Sequence, residues 1–437
     1  MSFKTSSTLA NPQTLKQRVN KMLNWIPYFS FINCNALIKP GNEEEVQDAL
    51  TWFTPRKMEE IWKDIEASSD QCKALKSFYV FPEKPFSQEE AEFPLAYAAI
   101  IHKDMSQVGY MISAFYHPQN VFVLVVDGDS PVEFKTRVDI FENCFENIHV
   151  IHTMNITWCG YGVARGVMEA VKYLSQLDHP WKYFQYLSGV DLPLKTNLEM
   201  VRIFKELDGA FISEINDFQS KRLKGFKKTP PLKLFKSSLS ATFSRESADF
   251  MTNSTVVAEL LGFLENTICP DESIWSTIAG NPDILPMPGG FNATALLKAK
   301  KISFRLLNMG KKLPSETYKP GPGETFVPAQ YYISRYQVWN SKARCKGQMV
   351  TGSCAFGIGD LPELVRRPEL VAHKLYMGYQ PAAYFCLLKH HWRRALNLTA
   401  QSKFSAKGYS AIAQVQNLHG VPPEKLMFYR PYRVLVS

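Results

Sequence analysis

Two short and almost wholly apolar runs, residues 95–101 and 121–126, are separated by a stretch with helical periodicity, and this alternation constrains the fold more than any other feature of the chain. Each run is bounded by polar or turn-forming residues, as buried strands are. Between them, Val108, Met111, Ile112 and Phe115 fall at spacings of three and four and share one face of a helix over 105–116. A second unit follows, with helix 131–141, strand 149–152, helix 163–177 and strand 183–187. Another helix, 197–207, begins after Thr196, which can cap it, with Glu199 in the first turn where the helix dipole favours an acid. Strands alternating with amphipathic helices predict an α/β fold.

The pattern divides the 437-residue chain into three stretches. Residues 1–90 show few strand signals; Val46, Leu50, Phe53, Met58 and Ile61 give 44–65 a helical period that Pro55 interrupts, so this part reads as a stem and packing region. Residues 91–392 form the α/β domain, although the pattern loosens after about 290 and four prolines mark 314–328 as a loop. Residues 393–437 read as a C-terminal tail. No apolar run reaches 18 residues, and the start, Met-Ser-Phe-Lys-Thr-Ser-Ser-Thr, lacks the apolar region of a signal peptide, so no membrane anchor is visible.

The net charge of +9, from 50 basic and 41 acidic residues, is modest and scattered in short clusters such as Lys221-Arg222 and Lys227-Lys228. Nucleic-acid binders present one coherent basic face, so that class is set aside in favour of a small anionic substrate such as a nucleotide diphosphate. The eight cysteines include no CxxC pair and no Cys/His cluster at zinc spacing, which argues against a structural metal and leaves disulfides or core thiols. Sequons at Asn155, Asn253, Asn292 and Asn397 are compatible with a lumenal protein.

Four blocks could carry chemistry. Val125-Val126-Asp127-Gly128-Asp129 ends an apolar strand in two carboxylates, where α/β sheets bind ligands; the alternative is a strand-to-helix turn capped by Asp129 or Ser130. Tyr186-Leu-Ser-Gly-Val-Asp191-Leu-Pro-Leu194 is a second strand ending near an acid, or simply turn punctuation. Cys269-Pro-Asp-Glu272 reads as a helix start whose acids serve the dipole, or as a loop presenting a general base at a pocket lip. Cys345 to Pro362, followed by His373-Lys374, offers a lysine that can neutralise a leaving diphosphate, or an ordinary surface lysine.

In this order the blocks resemble the core 2 type β-1,6-N-acetylglucosaminyltransferases and the wider branching-enzyme family, which includes the protein xylosyltransferases. The likeness runs from about Cys34 to Cys386 and is carried by Glu89-Glu-Ala-Glu-Phe-Pro-Leu-Ala-Tyr97, Pro118-Gln-Asn120, Trp181-Lys-Tyr183, Leu194-Lys-Thr-Asn-Leu-Glu199, Pro270-Asp-Glu-x-x-Trp275 and Phe356-Gly-x-Gly-Asp-Leu361. It implies a GT-A type α/β fold, a Rossmann-like mixed sheet flanked by helices, and a Golgi enzyme that uses no cofactor or metal. The implied reaction is a single inverting displacement on a UDP-sugar, adding N-acetylglucosamine to a glycan or glycoprotein acceptor; xylose transfer to protein, or a binding relative without turnover, are the alternatives. Glu272 falls on the general base, Ile100 and Asp127 on the uridine side of the donor site, Lys374 on the diphosphate, and Glu214 and Tyr331 on the acceptor site.

Three departures qualify the likeness. The arginine that should join Lys374 is Thr351, a loss of about 2–4 kcal/mol of leaving-group stabilisation unless Arg344, Lys346, Arg366 or a cation at Asp127/Asp129 substitutes. An acceptor-region tryptophan is Ala329. The resemblance pairs Cys34 with Cys386, Cys72 with Cys144 and Cys345 with Cys354, while its fourth pair is replaced at both ends, by Val123 and Val171. Cys159 and Cys269 have no counterpart; they are expected to bridge each other, tying the loop before the 163–177 helix to the loop that presents Glu272.

Overall fold

Strands β1 (Leu95–Ile101), β2 (Val121–Val126), β3 (Ile148–His152) and β4 (Tyr183–Ser188) lie parallel in the central sheet. After the short β5 (Leu192–Pro193), β6 (Asn216–Asp217) and β7 (Phe235–Lys236), strand β8 (Thr242–Ser244) joins the free edge of β4 antiparallel. The sheet order is β3-β2-β1-β4-β8, so it is mixed, as the resemblance implied. The chain moves outward from β1 through β2 to β3 and then returns to β1's other side, which places a topological switch point between β1 and β4. The computed structural model describes residues 9–53, 57–309, 332–340 and 344–426; Pro55, the 314–328 loop, Ala329 and Tyr331 lie outside the described residues.

Period-two alternation explains why β1 and β2 read as unbroken apolar runs. Tyr97, Ala99, Phe122 and Leu124 face one core, Ala96, Ala98, Val121 and Val123 face another, and both faces are covered. Helices Met105–Phe115 and Val132–Cys144 contribute to the first core, and helix Tyr161–Gln176 covers the second. Val123 and Val171, at the two positions of the missing family bridge, are both buried in that second core.

Helices Pro12–Asn24, Glu43–Thr51, Lys57–Ala67 and Gln71–Phe78 precede the sheet. Trp62 lies fully buried against Tyr79 and Phe141, so the N-terminal helices extend the first core. Disulfide Cys34–Cys386 fastens the short helix Cys34–Leu37 to helix Pro381–Ala395, and Cys72–Cys144 fastens helix Gln71–Phe78 to helix Val132–Cys144. All eight cysteines are paired, the others as Cys159–Cys269 and Cys345–Cys354.

Helix Asn197–Leu207 is capped by Thr196 as expected, and Glu199, expected only to serve the dipole, completes a capping box: Thr196 accepts from the Glu199 amide and Glu199 accepts from the Thr196 amide. The same two side chains hold the segment expected as a tail. Thr196 Oγ1 donates to Gln401 at 2.7 Å, Arg394 pairs with Glu199, and the fully buried Tyr409 donates to the Pro368 carbonyl at 2.6 Å. The described part of the C-terminal stretch is therefore docked on the domain, because Tyr409, Ile412 and Val415 bury apolar side chains that sequence periodicity over so short a segment does not reveal.

Burial holds several histidines neutral: His117 and His391 are pushed down to about 3, and His373 and His390 to about 4. Each takes up its proton on unfolding, so between the ordinary value of about 6.5 and these folded values the unfolded chain binds more protons and stability falls as pH falls. Asp271, Glu90 and Asp360, raised by burial, act in the opposite sense but are outnumbered once His102, His149 and His179, also lowered by burial, are counted. The urea midpoint is expected to drop from pH 7 to pH 5; an equal or higher midpoint at pH 5 contradicts these neutral assignments.

Candidate active site

The residues expected on the donor side lie at the carboxyl ends of β1, β2 and β4. Ile100, half-buried near the end of β1, lies beside the second core. Asp127 follows β2; its amide donates to the Ile101 carbonyl at 3.1 Å, and its Oδ1 accepts from the amides of Ile156 at 2.8 Å and Asp129 at 3.2 Å. The carboxylate thus anchors residues 153–160, the loop after β3. Gly128 is required there, since a Cβ would stand 2.7 Å from the Thr153 carbonyl. Helix Val132–Cys144 has Pro131 at its cap with no capping side chain, so neither Asp129 nor Ser130 fills that role.

The acid at the end of the β4 turn proves to be a brace. Asp191 is fully buried, accepts from the Ser188 amide at 2.7 Å, and pairs with Arg335 at 3.0 Å and with His373 Nδ1 at 2.7 Å. Burial pushes its carboxyl up, but Arg335 and then His373 outweigh that and hold it below the ordinary carboxylate range. With Asp191 ionised and His373 neutral, Nδ1 carries the proton and donates. The next residue, Lys374, is thereby fixed near the end of β4; its Nζ donates to the Val350 carbonyl at 3.0 Å.

Glu272 sits on a 3-10 turn, Pro270–Ser273, and the α-helix begins only at Trp275–Ala279, which corrects the expectation of a simple helix start. Cys269 adopts φ +49, its amide donates to the Cys159 carbonyl at 3.1 Å, and its sulfur is bridged to Cys159, so the local chain cannot run straight into a helix. Arg222 grips the turn: its guanidinium donates to the carbonyls of Ile268 and Cys269 and pairs with the Glu272 carboxylate. Lys236 Nζ approaches the same carboxylate to 3.5 Å, and the Glu272 side chain remains a quarter exposed. Beside it, Asp271 is pushed up to about 7 by burial and then by the charge of Glu272.

Lys236 pairs across β6/β7 with Asn216, whose side chain accepts from Lys300 at 3.1 Å; Glu214 lies beside that lysine and anchors Ser276 through its carbonyl at 2.6 Å. Glu214, Lys300, Tyr332, Arg335 and Trp339 line a cavity of about 1110 Å³. Arg344, Lys346 and Arg366 line this same cavity, whose lining does not include Lys374. Tyr331, the other expected acceptor residue, lies outside the described residues. Sequence reading missed Arg222, Lys236 and Arg335, because their partners are 50, 36 and 144 residues away and no local motif marks them.

A central, mostly parallel sheet flanked by helices is the architecture of a GT-A-like glycosyltransferase. The Core-2/I-Branching enzyme family model matches residues 95–365, and the chain belongs to that family. The human β-1,3-galactosyl-O-glycosyl-glycoprotein β-1,6-N-acetylglucosaminyltransferase is 27% identical over 391 residues, covering 84% of this chain and 86% of that protein. Human β-1,3-galactosyl-O-glycosyl-glycoprotein β-1,6-N-acetylglucosaminyltransferase 3 is 26% identical over 384 residues, covering 83% of each chain. The mouse N-acetyllactosaminide β-1,6-N-acetylglucosaminyl-transferase is 27% identical over 337 residues, 72% of this chain and 76% of its own.

Because Asp271 keeps its proton up to about pH 7 when folded and releases it near 4 when unfolded, its ionisation in the folded state destabilises the protein most above pH 7. Asp271→Asn removes that cost. It is expected to raise the urea midpoint clearly at pH 8 and much less at pH 5; an equal shift at both values shows that Asp271 is not the titrating group.

Proposed function

We propose that the chain is an inverting glycosyltransferase that transfers N-acetylglucosamine from UDP-N-acetylglucosamine to an O-glycan-type acceptor, forming a β-1,6 branch. The observation that carries this reading is the partly exposed Glu272 carboxylate, held on a rigid turn by Arg222, Lys236 and a disulfide. Glu272 takes the proton of the acceptor hydroxyl as its oxygen attacks the anomeric carbon; the new C–O bond forms on the face opposite the departing diphosphate, so the configuration inverts. Ile100 and Asp127 border the uridine end of the donor, and Lys374 meets the charge that develops on the leaving phosphate. Glu214 and Tyr331 contact the acceptor sugar. The lysine charge takes the role a divalent cation plays elsewhere, so no metal is needed, and the Golgi lumen is the compartment of action. Four disulfides suit an oxidising lumen. Among the described residues no helix is long and apolar enough to cross a membrane.

Transfer from UDP-N-acetylglucosamine to glycan acceptors, with linkage analysis of the product and UDP binding by calorimetry, tests this. Glu272→Gln is expected to lose roughly 100-fold or more of transfer while UDP affinity changes little. EDTA is expected to leave transfer unchanged. If the wild type binds UDP but transfers no sugar, the chain is a binding relative; if EDTA abolishes transfer and manganese restores it, the metal-free reading is wrong.

A further inference from the structure

The position next to Lys374 that lacks a cation is sharply defined. Strands β9 (Gln348–Val350) and β10 (Ser353–Ala355) form a hairpin closed by Thr351 and Gly352, both at positive φ, 51° and 77°. The Cys345–Cys354 bridge fastens it, and Val350, the residue before Thr351, receives the Lys374 ammonium. Thr351 brings no charge to this tip, and Arg344, Lys346 and Arg366 line the other cavity.

A second ammonium arrives from a different direction. Lys103 is exposed and lies two residues beyond β1, at the switch point between β1 and β4. The buried Gln107 ties this corner together: its Nε2 donates to the carbonyls of Gly189 and Leu375, each at 3.1 Å, and its Oε1 accepts from the Met377 amide at 2.8 Å. Leu375 also donates to the Val190 carbonyl at 3.0 Å. The turn after β1, the turn after β4 and the segment that starts at Lys374 are thus joined at one point. Burial first, and then the charge of Lys103, lowers the Lys374 ammonium's hold on its proton, which places the two cations within electrostatic reach. The nearby acids are engaged elsewhere: Asp104 caps helix Met105–Phe115, Asp127 holds two backbone amides, and Asp191 is paired with Arg335 and His373. Two like charges brought to one corner of the sheet edge create a positive field suited to an anion.

We propose that Lys103 and Lys374 together hold the diphosphate of the nucleotide-sugar donor, with Lys103 supplying the charge that Thr351 does not. This rests on the reading of the chain as a UDP-sugar enzyme. Calorimetric titration of UDP and of uridine into the wild type, Lys103→Gln and Lys103→Arg tests it. Lys103→Gln is expected to weaken UDP on the order of tenfold with uridine unchanged, the loss of one charge-assisted contact, and Lys103→Arg to stay within about threefold of wild type. Unchanged UDP affinity in Lys103→Gln, a parallel loss of uridine binding, or an equal loss in Lys103→Arg overturns the role of Lys103. Failure of the wild type to bind UDP at all overturns the functional reading instead.

Discussion

A carboxylate sealed from water has to be neutralised by groups brought to it, and Asp191 imposes that requirement on the middle of this molecule. Its two partners come from separate segments, Arg335 before the β9/β10 hairpin and His373 after it. Meeting at the end of β4, they fix where both segments enter the crevice. Lys374 follows His373 directly, so its position is a consequence of the buried pair. The hairpin inherits its position in turn, because Val350 is bonded to Lys374 and the Phe356 amide to the Lys374 carbonyl.

The segment that carries Glu272 is built on a covalent link. Residues 153–160 are held at one point by Asp127 through the Ile156 amide and at another by the Cys159–Cys269 bridge. Three residues beyond Cys269 stands Glu272. Asp127 and the segment of the proposed base are thus tied to the same short loop. Arg222 closes the arrangement from outside by bonding carbonyls on the same turn as well as the carboxylate. Local precision of this kind is what a displacement with fixed stereochemistry demands of its base.

Which parts of this were legible in the sequence follows from the range of the interactions. β1 and β2 were readable to the residue, since strands buried on both faces are apolar throughout and end where the apolar run ends. The Thr196 cap and the first-turn Glu199 lie three residues apart and were equally plain, although their reciprocal bonding was not read. The Pro-Asp-Glu turn was misread as a helix start because the residues that divert it, Cys159 and Arg222, are 110 and 50 positions away. Asp191 could be found as an acid at a strand end, but its structural duty depends on partners 144 and 182 residues off. The Cys159–Cys269 pairing was inferable only by setting the other six cysteines against a family pattern. The docked C-terminal stretch had no signal of comparable strength.

Half of the left-handed non-glycine positions among the described residues border the proposed site, and half, Tyr28, Asp208, Lys224 and Asn340, lie elsewhere. Among the described residues, non-glycine positions at positive φ include Asp104, Cys159, Cys269 and Thr351, and each stands on a loop at the edge of the proposed site. Such conformations cost on the order of 1–3 kcal/mol each and persist where the surroundings dictate them. Each has a visible enforcer: the Gln107 amide bonded to Asp104, the bridge between the two cysteines, and the two-residue closure of the β9/β10 hairpin at Thr351. At these four loops unfavourable backbone is held beside the groups that have to present charge at fixed points in the proposed reaction, where preorganisation has the largest effect on a barrier.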